Sequence, residues 1–282
     1  EYSLNTRKQI IRAQTRNKLL RLRRSLWSAN QERRNVAAVR LAAGVQCNGT
    51  PTFNAYAPLN SNCMLYFDTR VSSDMLIQPS ALETRLADLS KNQPLRLAFS
   101  GRLNHMKGAD HLPLIAAEIR RLSIPFTLDI CGAGLLESSM RAKVAELNVQ
   151  DSVRFRGVLD FKSQLMPFIS NEIDLFLCPH RQGDPSCTYL ETLSCGVPIV
   201  GYDNEAFTGI CSMADIGWTS TMDSPIKIAH VIARLHADRA AVAAASREAV
   251  AFASRHTFEN TMSKRINHLY HCIHMAPLAP AR

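Results

Sequence analysis

The amino-acid sequence predicts a parallel α/β protein whose second half carries a complete sheet with helices on both faces. Two observations carry that prediction. From Leu95 onward, short apolar runs alternate with helical patterns at regular spacing, as they do when parallel strands are joined by helical crossovers. Between Arg102 and Asp203, each apolar run also hands over to a polar or glycine-rich turn: GRLNHMKG, DICGAG, VRFRG and DLFLCPHRQGDPSCTYLETLSCGVPIVGYDN. In such sheets ligands bind outside the carboxyl ends of the strands, where those turns lie.

Taken in order, residues 5–42 read as helical, with Leu19, Leu20, Leu22, Leu26 and Trp27 set among arginines. GVQCNG (44–49) resembles a strand ending in a turn, TPTFNAY a brief helix, and NCMLYF (62–67) a second strand. Residues 79–94, from Pro79 through ALETRLADLS to Pro94, read as the connection into the next domain. Strands are then expected at 95–101, 126–132, 153–157, 174–179 and 197–202, because these runs are rich in β-branched and other apolar residues. Helices are expected at 108–122, 134–147, 160–170 and 185–195, with a helical tail over 223–275. Residues 94–255 have the length and strand count of a whole sheet domain. Residues 1–93 do not, and read as the last part of a domain that begins outside this stretch; residues 256–282 read as a C-terminal helix.

Composition narrows the function classes. The 282 residues are 46% hydrophobic, ordinary for a globular protein. No apolar run approaches the ~18 residues a membrane-spanning helix needs, and the N-terminus has no signal-peptide pattern. The eight cysteines contain no CxxC pair and several lie in strand-like runs, so they are expected to be buried reduced thiols in a reducing compartment. The net charge of +9 belongs to one segment: residues 1–40 hold eleven Lys and Arg against Glu1 and Glu32, and the remainder balances. Such a segment suits an anionic membrane surface as well as it suits a solvated helix face. Nucleic acid is disfavoured, since only Tyr2 and Trp27 supply aromatic rings there.

Three blocks are able to carry chemistry. In SGRLNHMKG, Gly101 and Arg102 follow a strand and Lys107 precedes Gly108, placing a forked donor and a point charge where a diphosphate would lie. Alone, the block is better read as a solvated loop with two surface cations. DICGAG places Gly132 between strand and helix, where it serves a phosphate or simply a tight turn. In GDPSCTYLETLSCG, Asp184 is placed to cap a helix with Pro185 at its first position. The N–H groups of Ser186, Cys187 and Thr188 would then face a negatively charged ligand. Glu191, two turns on, would share the face of Asp184 and accept hydrogen bonds from vicinal hydroxyls. The plainer reading is a capped helix with one exposed Glu. His268, His271 and His274 have a spacing that admits metal, but an amphipathic helix with Leu269 and Ile273 is the better reading.

The series GRL…KG, ICGAG, FRG and P…LETLSCGVPIV resembles the C-terminal nucleotide-sugar domain of family-4 (group 1) retaining glycosyltransferases of the GT-B fold, over about residues 62–275. The resemblance implies a Rossmann-like donor domain at 94–255, a truncated acceptor-side α/β domain at 1–93, and a C-terminal helix at 256–282 crossing back to it. It implies that Arg102 and Lys107 bind the donor diphosphate and that Glu191, the second Glu of an E-x7-E motif, holds the ribose. Asp184, Ser186, Cys187 and Thr188 are implied as donor-sugar contacts, and Val158 and Leu159 as neighbours of the base. The first Glu of the motif falls on Gly183, a departure that bears on the donor sugar more than on the nucleotide. Arg102, Lys107 and Asp184 are the implied catalytic groups, with no metal or other cofactor. The implied activity is transfer from a nucleotide diphosphate sugar to a glycan or lipid-linked acceptor, with retention, as in cell-surface polysaccharide biosynthesis. The implied location is cytoplasmic, with peripheral contact at the inner membrane face. A GT-B-like nucleotide-binding module that performs no transfer is the alternative.

Overall fold

The computed structural model describes residues 3–275, apart from Arg16 and Asn92. Residues 5–42, expected to be helical, form two helices, α1 (Leu4–Gln14) and α2 (Lys18–Leu41). Thr15 is extended, and Asn17 Oδ1 accepts from Leu20 N at 3.1 Å, so a local side chain ends one helix and starts the next. Next come β1 (Val45–Asn48), α3 (Gly49–Tyr56) and β2 (Cys63–Tyr66), the strands pairing in parallel with Val45 opposite Cys63. The helix between them is the crossover that parallel pairing requires. Helix α4 (Pro79–Leu89) then leads into the larger sheet.

That sheet is built from β3 (Leu95–Ser100), α5 (Leu112–Arg121), β4 (Phe126–Cys131), α6 (Glu137–Glu146) and β5 (Val153–Gly157). It continues through α7 (Met166–Glu172), β6 (Leu175–Cys178), α8 (Thr188–Ser194), β7 (Ile199–Tyr202), α9 (Glu205–Cys211) and β8 (Gly217–Ser220). Three helices close the described chain: α10 (Pro225–Ala237), α11 (Arg239–Ser254) and α12 (Phe258–Met275). All strand pairs are parallel, in the order β5-β4-β3-β6-β7-β8. The winding therefore reverses between β3 and β6, and a ligand crevice opens where the loops leaving those strands diverge.

Alternation along the strands divides the core into two layers. Leu95, Leu97 and Phe99 of β3 join Leu128, Ile130, Leu175 and the inner faces of α5 and α10. Ala98 points the other way, with Phe176, Cys178 and Ile199, against α7, α8, α9 and Phe252 of α11. Two elements escaped the sequence reading, α9 and β8. GWTS is an edge strand with only Ser220 buried, so its apolar signal is weak. The expected tail over 223–275 is broken at Asp238, whose carboxylate accepts from Ala241 N at 3.0 Å and caps α11, and again at Thr257.

Helix α12 returns to the small sheet. Arg265 Nε donates to Gln46 Oε1 at 2.9 Å and its guanidinium lies 4.3 Å from the centre of the Tyr66 ring, while His268 bonds Asn62. Buried Arg85 ties α4 to the sheet domain by donating to the carbonyls of Ser170, Cys195 and Gly196. Burial pulls its pKa down to about 10, with Asp174 opposing.

The seam between β3 and β6 is short, with Leu97 opposite Leu175 and Ala98 opposite Phe176. It is reinforced by Asp174, which is 4% exposed. Its carboxylate accepts from Arg96 N at 2.9 Å and from the Arg96 guanidinium at 2.6 and 3.1 Å, while its own N–H donates to Arg96 O. Asp174→Ala strands a half-buried guanidinium and a strand amide, so a loss of about 2–3 kcal/mol in urea unfolding is expected. An unchanged midpoint would show that the seam does not need this ion pair.

Candidate active site

The loops leaving β3 and β4 are knit together by backbone. Gly101 N donates to Cys131 O and Leu103 N to Ala133 O, each at 3.0 Å. Gly132 has φ +126°, and a Cβ there would fall 2.0 Å from Gly101 O, so no larger residue fits. Gly108, at φ +65°, meets β6 in the same way: a Cβ would lie 1.9 Å from Pro179 O. These contacts hold the ends of β3, β4 and β6 around one crevice at the point of reversal.

An open cleft of about 370 Å³ lies there, lined by Ser100, Gly101, Arg102, Gly132, Val158 and Leu159, with Arg70, Phe161 and Leu165 on its far side. Five of the expected site residues, Gly101, Arg102, Gly132, Val158 and Leu159, thus line one cleft. Arg102 is exposed and has no acidic partner among the described residues. Ser100 and Leu165 also border a crevice that holds Thr188 and Glu191, joining α8 to the cleft. Lys107 is buried, and its Nζ reaches Ser186 Oγ at 3.4 Å, which in turn donates to Thr188 Oγ1 at 3.1 Å.

Two expectations about the third block need correction. Helix α8 begins at Thr188, with Cys187 in the capping position, and not at Pro185. Asp184 therefore caps nothing, Ser186 and Cys187 precede the helix, and Asp184 does not share a helical face with Glu191. The reason is tertiary: the backbone of the preceding loop is claimed elsewhere. Arg181 N donates to Met106 O, His180 O accepts from Asn204, and Gly183 is held on both sides by α1. Gly183 N donates to Gln9 Oε1 at 2.9 Å and Gly183 O accepts from Thr6 Oγ1 at 3.1 Å. A Cβ at 183 would meet Glu205 Cβ at 3.1 Å, so the glutamate of the motif would not enter without displacing its neighbours.

Glu191 is mostly buried and accepts from Arg70 Nε at 2.8 Å. Burial raises its pKa, while Arg70 and Lys107 oppose the rise. The Arg70 guanidinium also lies 3.5 Å from the centre of the Phe161 ring, so Arg70 bridges cleft and crevice. The sequence held no signal for Arg70, because its partner lies 121 residues away. His180 was missed as well. It is fully buried beside Lys107, and burial drives its pKa well below the ordinary imidazole value, leaving it neutral at pH 7. Both its ring nitrogens, Gln182 Oε1 and Asp184 Oδ1 are buried without a hydrogen-bond partner among the described residues. Orphaned polar atoms of this kind are expensive unless a polar ligand or water meets them. Among the described residues, no three His, Cys, Asp or Glu side chains are grouped to hold a metal ion, and no helix is long and apolar enough to cross a membrane.

The 2-deoxystreptamine glucosyltransferase of Streptomyces kanamyceticus is 27% identical over 135 residues, 48% of this chain and 34% of its own length. The amylovoran biosynthesis glycosyltransferase AmsK of Erwinia amylovora is 26% identical over 170 residues, 57% of this chain and 40% of its own. The chain thus spans well under half of either relative. Among solved structures, sucrose-phosphate synthase from Thermosynechococcus elongatus superposes with a TM-score of 0.68 at 16% identity, covering 98% of this chain and 67% of that one. Anabaena HepE, solved in complex with UDP, superposes with a TM-score of 0.65 at 17% identity, covering 91% and 68%. Both share the GT-B architecture. The family described as glycosyl transferases group 1 matches residues 82–252, more than half of the chain, and the chain belongs to that family.

Proposed function

We propose that the crevice at the carboxyl ends of β3 and β6 binds a nucleotide diphosphate sugar, and that the whole protein transfers the sugar to a glycan or lipid-linked acceptor with retention. The observation that carries this reading is Arg102 on the cleft and Glu191 on the adjoining crevice at the reversal of the sheet, with Lys107 reaching Ser186 in the loop before α8. Arg102 and Lys107 are placed for the diphosphate and Glu191 for the ribose hydroxyls, with Val158 and Leu159 on the base side. The orphaned atoms of His180, Gln182 and Asp184 supply the donors and acceptors that a hydroxyl-rich sugar requires, next to Ser186, Cys187 and Thr188. That HepE was solved with UDP makes UDP the first nucleotide to try.

In such a transfer the acceptor hydroxyl oxygen forms its bond to the sugar carbon as the bond to the diphosphate oxygen breaks, and the hydroxyl proton passes to the leaving diphosphate. Negative charge then develops on the leaving diphosphate, where two fixed cations stabilise it. No enzyme nucleophile and no metal is required. Gly183 favours a second reading, a nucleotide-binding module without transfer, which donor turnover by the whole protein would exclude. Residues 1–40 are proposed to contact anionic membrane at the inner face, since Leu19, Leu22, Leu26 and Trp27 stand exposed among the arginines of α2. Sedimentation with phosphatidylserine vesicles, but not with neutral ones, is the expected outcome.

Calorimetric titration of this chain with UDP, GDP and ADP in the presence of a chelator tests the site. One nucleotide should bind saturably, and Arg102→Ala, Lys107→Ala and Glu191→Ala should each weaken it about ten- to a hundredfold, the worth of a charge-assisted hydrogen bond. Failure of all three nucleotides to bind a folded chain would overturn the reading. Arg70→Ala gives a pH-dependent counterpart. Removing Arg70 leaves burial less opposed, so the Glu191 carboxyl titrates higher and loses its acceptor form as pH falls. Nucleotide affinity between about pH 8 and pH 5 should then drop more steeply in the variant than in the wild type.

A further inference from the structure

A second cavity, of about 500 Å³, lies at the opposite end of the large sheet. Arg96, Thr127 and Arg154 line it from the amino ends of β3, β4 and β5, and Asp174 from just before β6. Asp88, Lys91 and Gln93 close it from the linker, and Arg239 from the first position of α11. Along β3, its wall at Arg96 stands about 13 Å from Ser100 at the nucleotide crevice. The two are separate sites.

The charges inside do not cancel. Asp174 is consumed by Arg96, and Asp88 by Lys91 at 2.7 Å. Arg154 and Arg239 have no acidic partner among the described residues. Arg239 is the telling one. It is half-buried and held by neutral groups alone, donating to the carbonyls of Gln93 and His236 and to the His236 ring. Burial lowers its pKa and Arg96 adds to the effect, with Asp174 opposing. His236 is likewise held below its ordinary value, by burial and then by Arg239. The cavity is thus a partly desolvated pocket short of negative charge, lined by two guanidinium groups, of which Arg154 is exposed and Arg239 already donates through Nε and Nη2.

We propose that this cavity is a phosphate-binding site, taking inorganic phosphate or the phosphate of a sugar phosphate between Arg154 and Arg239. A bound phosphate would bridge β5, α11 and the linker before β3, locking the linker to the sheet domain. The inference stands whether or not the nucleotide reading does.

Phosphate also has an affinity for the nucleotide crevice, so the test uses variants of both places. Inorganic phosphate and glucose 1-phosphate are titrated, at constant ionic strength set with chloride, into wild type, Arg102→Ala, Arg154→Glu and Arg239→Gln. Arg154 is exposed, so its replacement leaves folding intact. Saturable phosphate binding that survives Arg102→Ala and weakens about tenfold or more in Arg154→Glu and Arg239→Gln is expected. Tighter binding of glucose 1-phosphate, lost in the same variants, would identify the sugar phosphate as the occupant. Binding abolished by Arg102→Ala and untouched by Arg154→Glu would place the phosphate in the crevice and overturn the proposal. Absence of saturable binding by the wild type would overturn it equally.

Discussion

The pairing of β3 with β6 is the constraint on which the rest of the structure depends. These strands are distant in sequence, with two strands and three helices between them, and their contact makes the chain wind outward in both directions. Because the winding reverses there, the loops leaving the two strands part at their carboxyl ends, and the crevice between them needs no dedicated machinery. Asp174 reinforces the seam from the other end. A nearly buried carboxylate is worth its desolvation only when its lone pairs are filled, and here one Arg96 fills them with both backbone and guanidinium. The pair that secures the seam also neutralises part of the second cavity, leaving Arg154 and Arg239 as its uncompensated charges.

At the crevice, glycine sets the distances. Gly132 and Gly108 admit backbone contacts that a Cβ would block, and so hold the loop carrying Arg102 and Lys107 close to the ends of β4 and β6. Electrostatics then divides the labour. Arg102 stays exposed with no acidic partner among the described residues, Lys107 is buried among polar groups, and Glu191 is a carboxyl whose pKa burial raises against the opposition of Arg70 and Lys107. Neutral His180 sits beside Lys107, where a second positive charge would be costly.

Helix α1 shows how a motif position can be lost and its surroundings still ordered. Gly183 presents only backbone, and Thr6 and Gln9 bond that backbone from a segment far away in sequence. The same contacts explain why α8 starts late. A stretch with aspartate and proline has good local chemistry for a helix start, but the loop's amides and carbonyls are satisfied by α1, Met106 and Asn204. Tertiary partners therefore outweigh the local cap.

The sequence by itself determined the strand–helix alternation, five of the six strands of the large sheet and the three polar or glycine-rich blocks at their ends, because periodicity, glycine placement and charge are local properties. It carried no trace of β8 as an edge strand, since a four-residue strand that buries only Ser220 leaves no apolar pattern. Tertiary structure alone decided the strand order, the bond from Arg70 to Glu191, the orphaned ring of His180 and the grouping of Arg154 with Arg239. Each of these joins residues tens to more than a hundred positions apart, and only the folded path of the backbone brings them together.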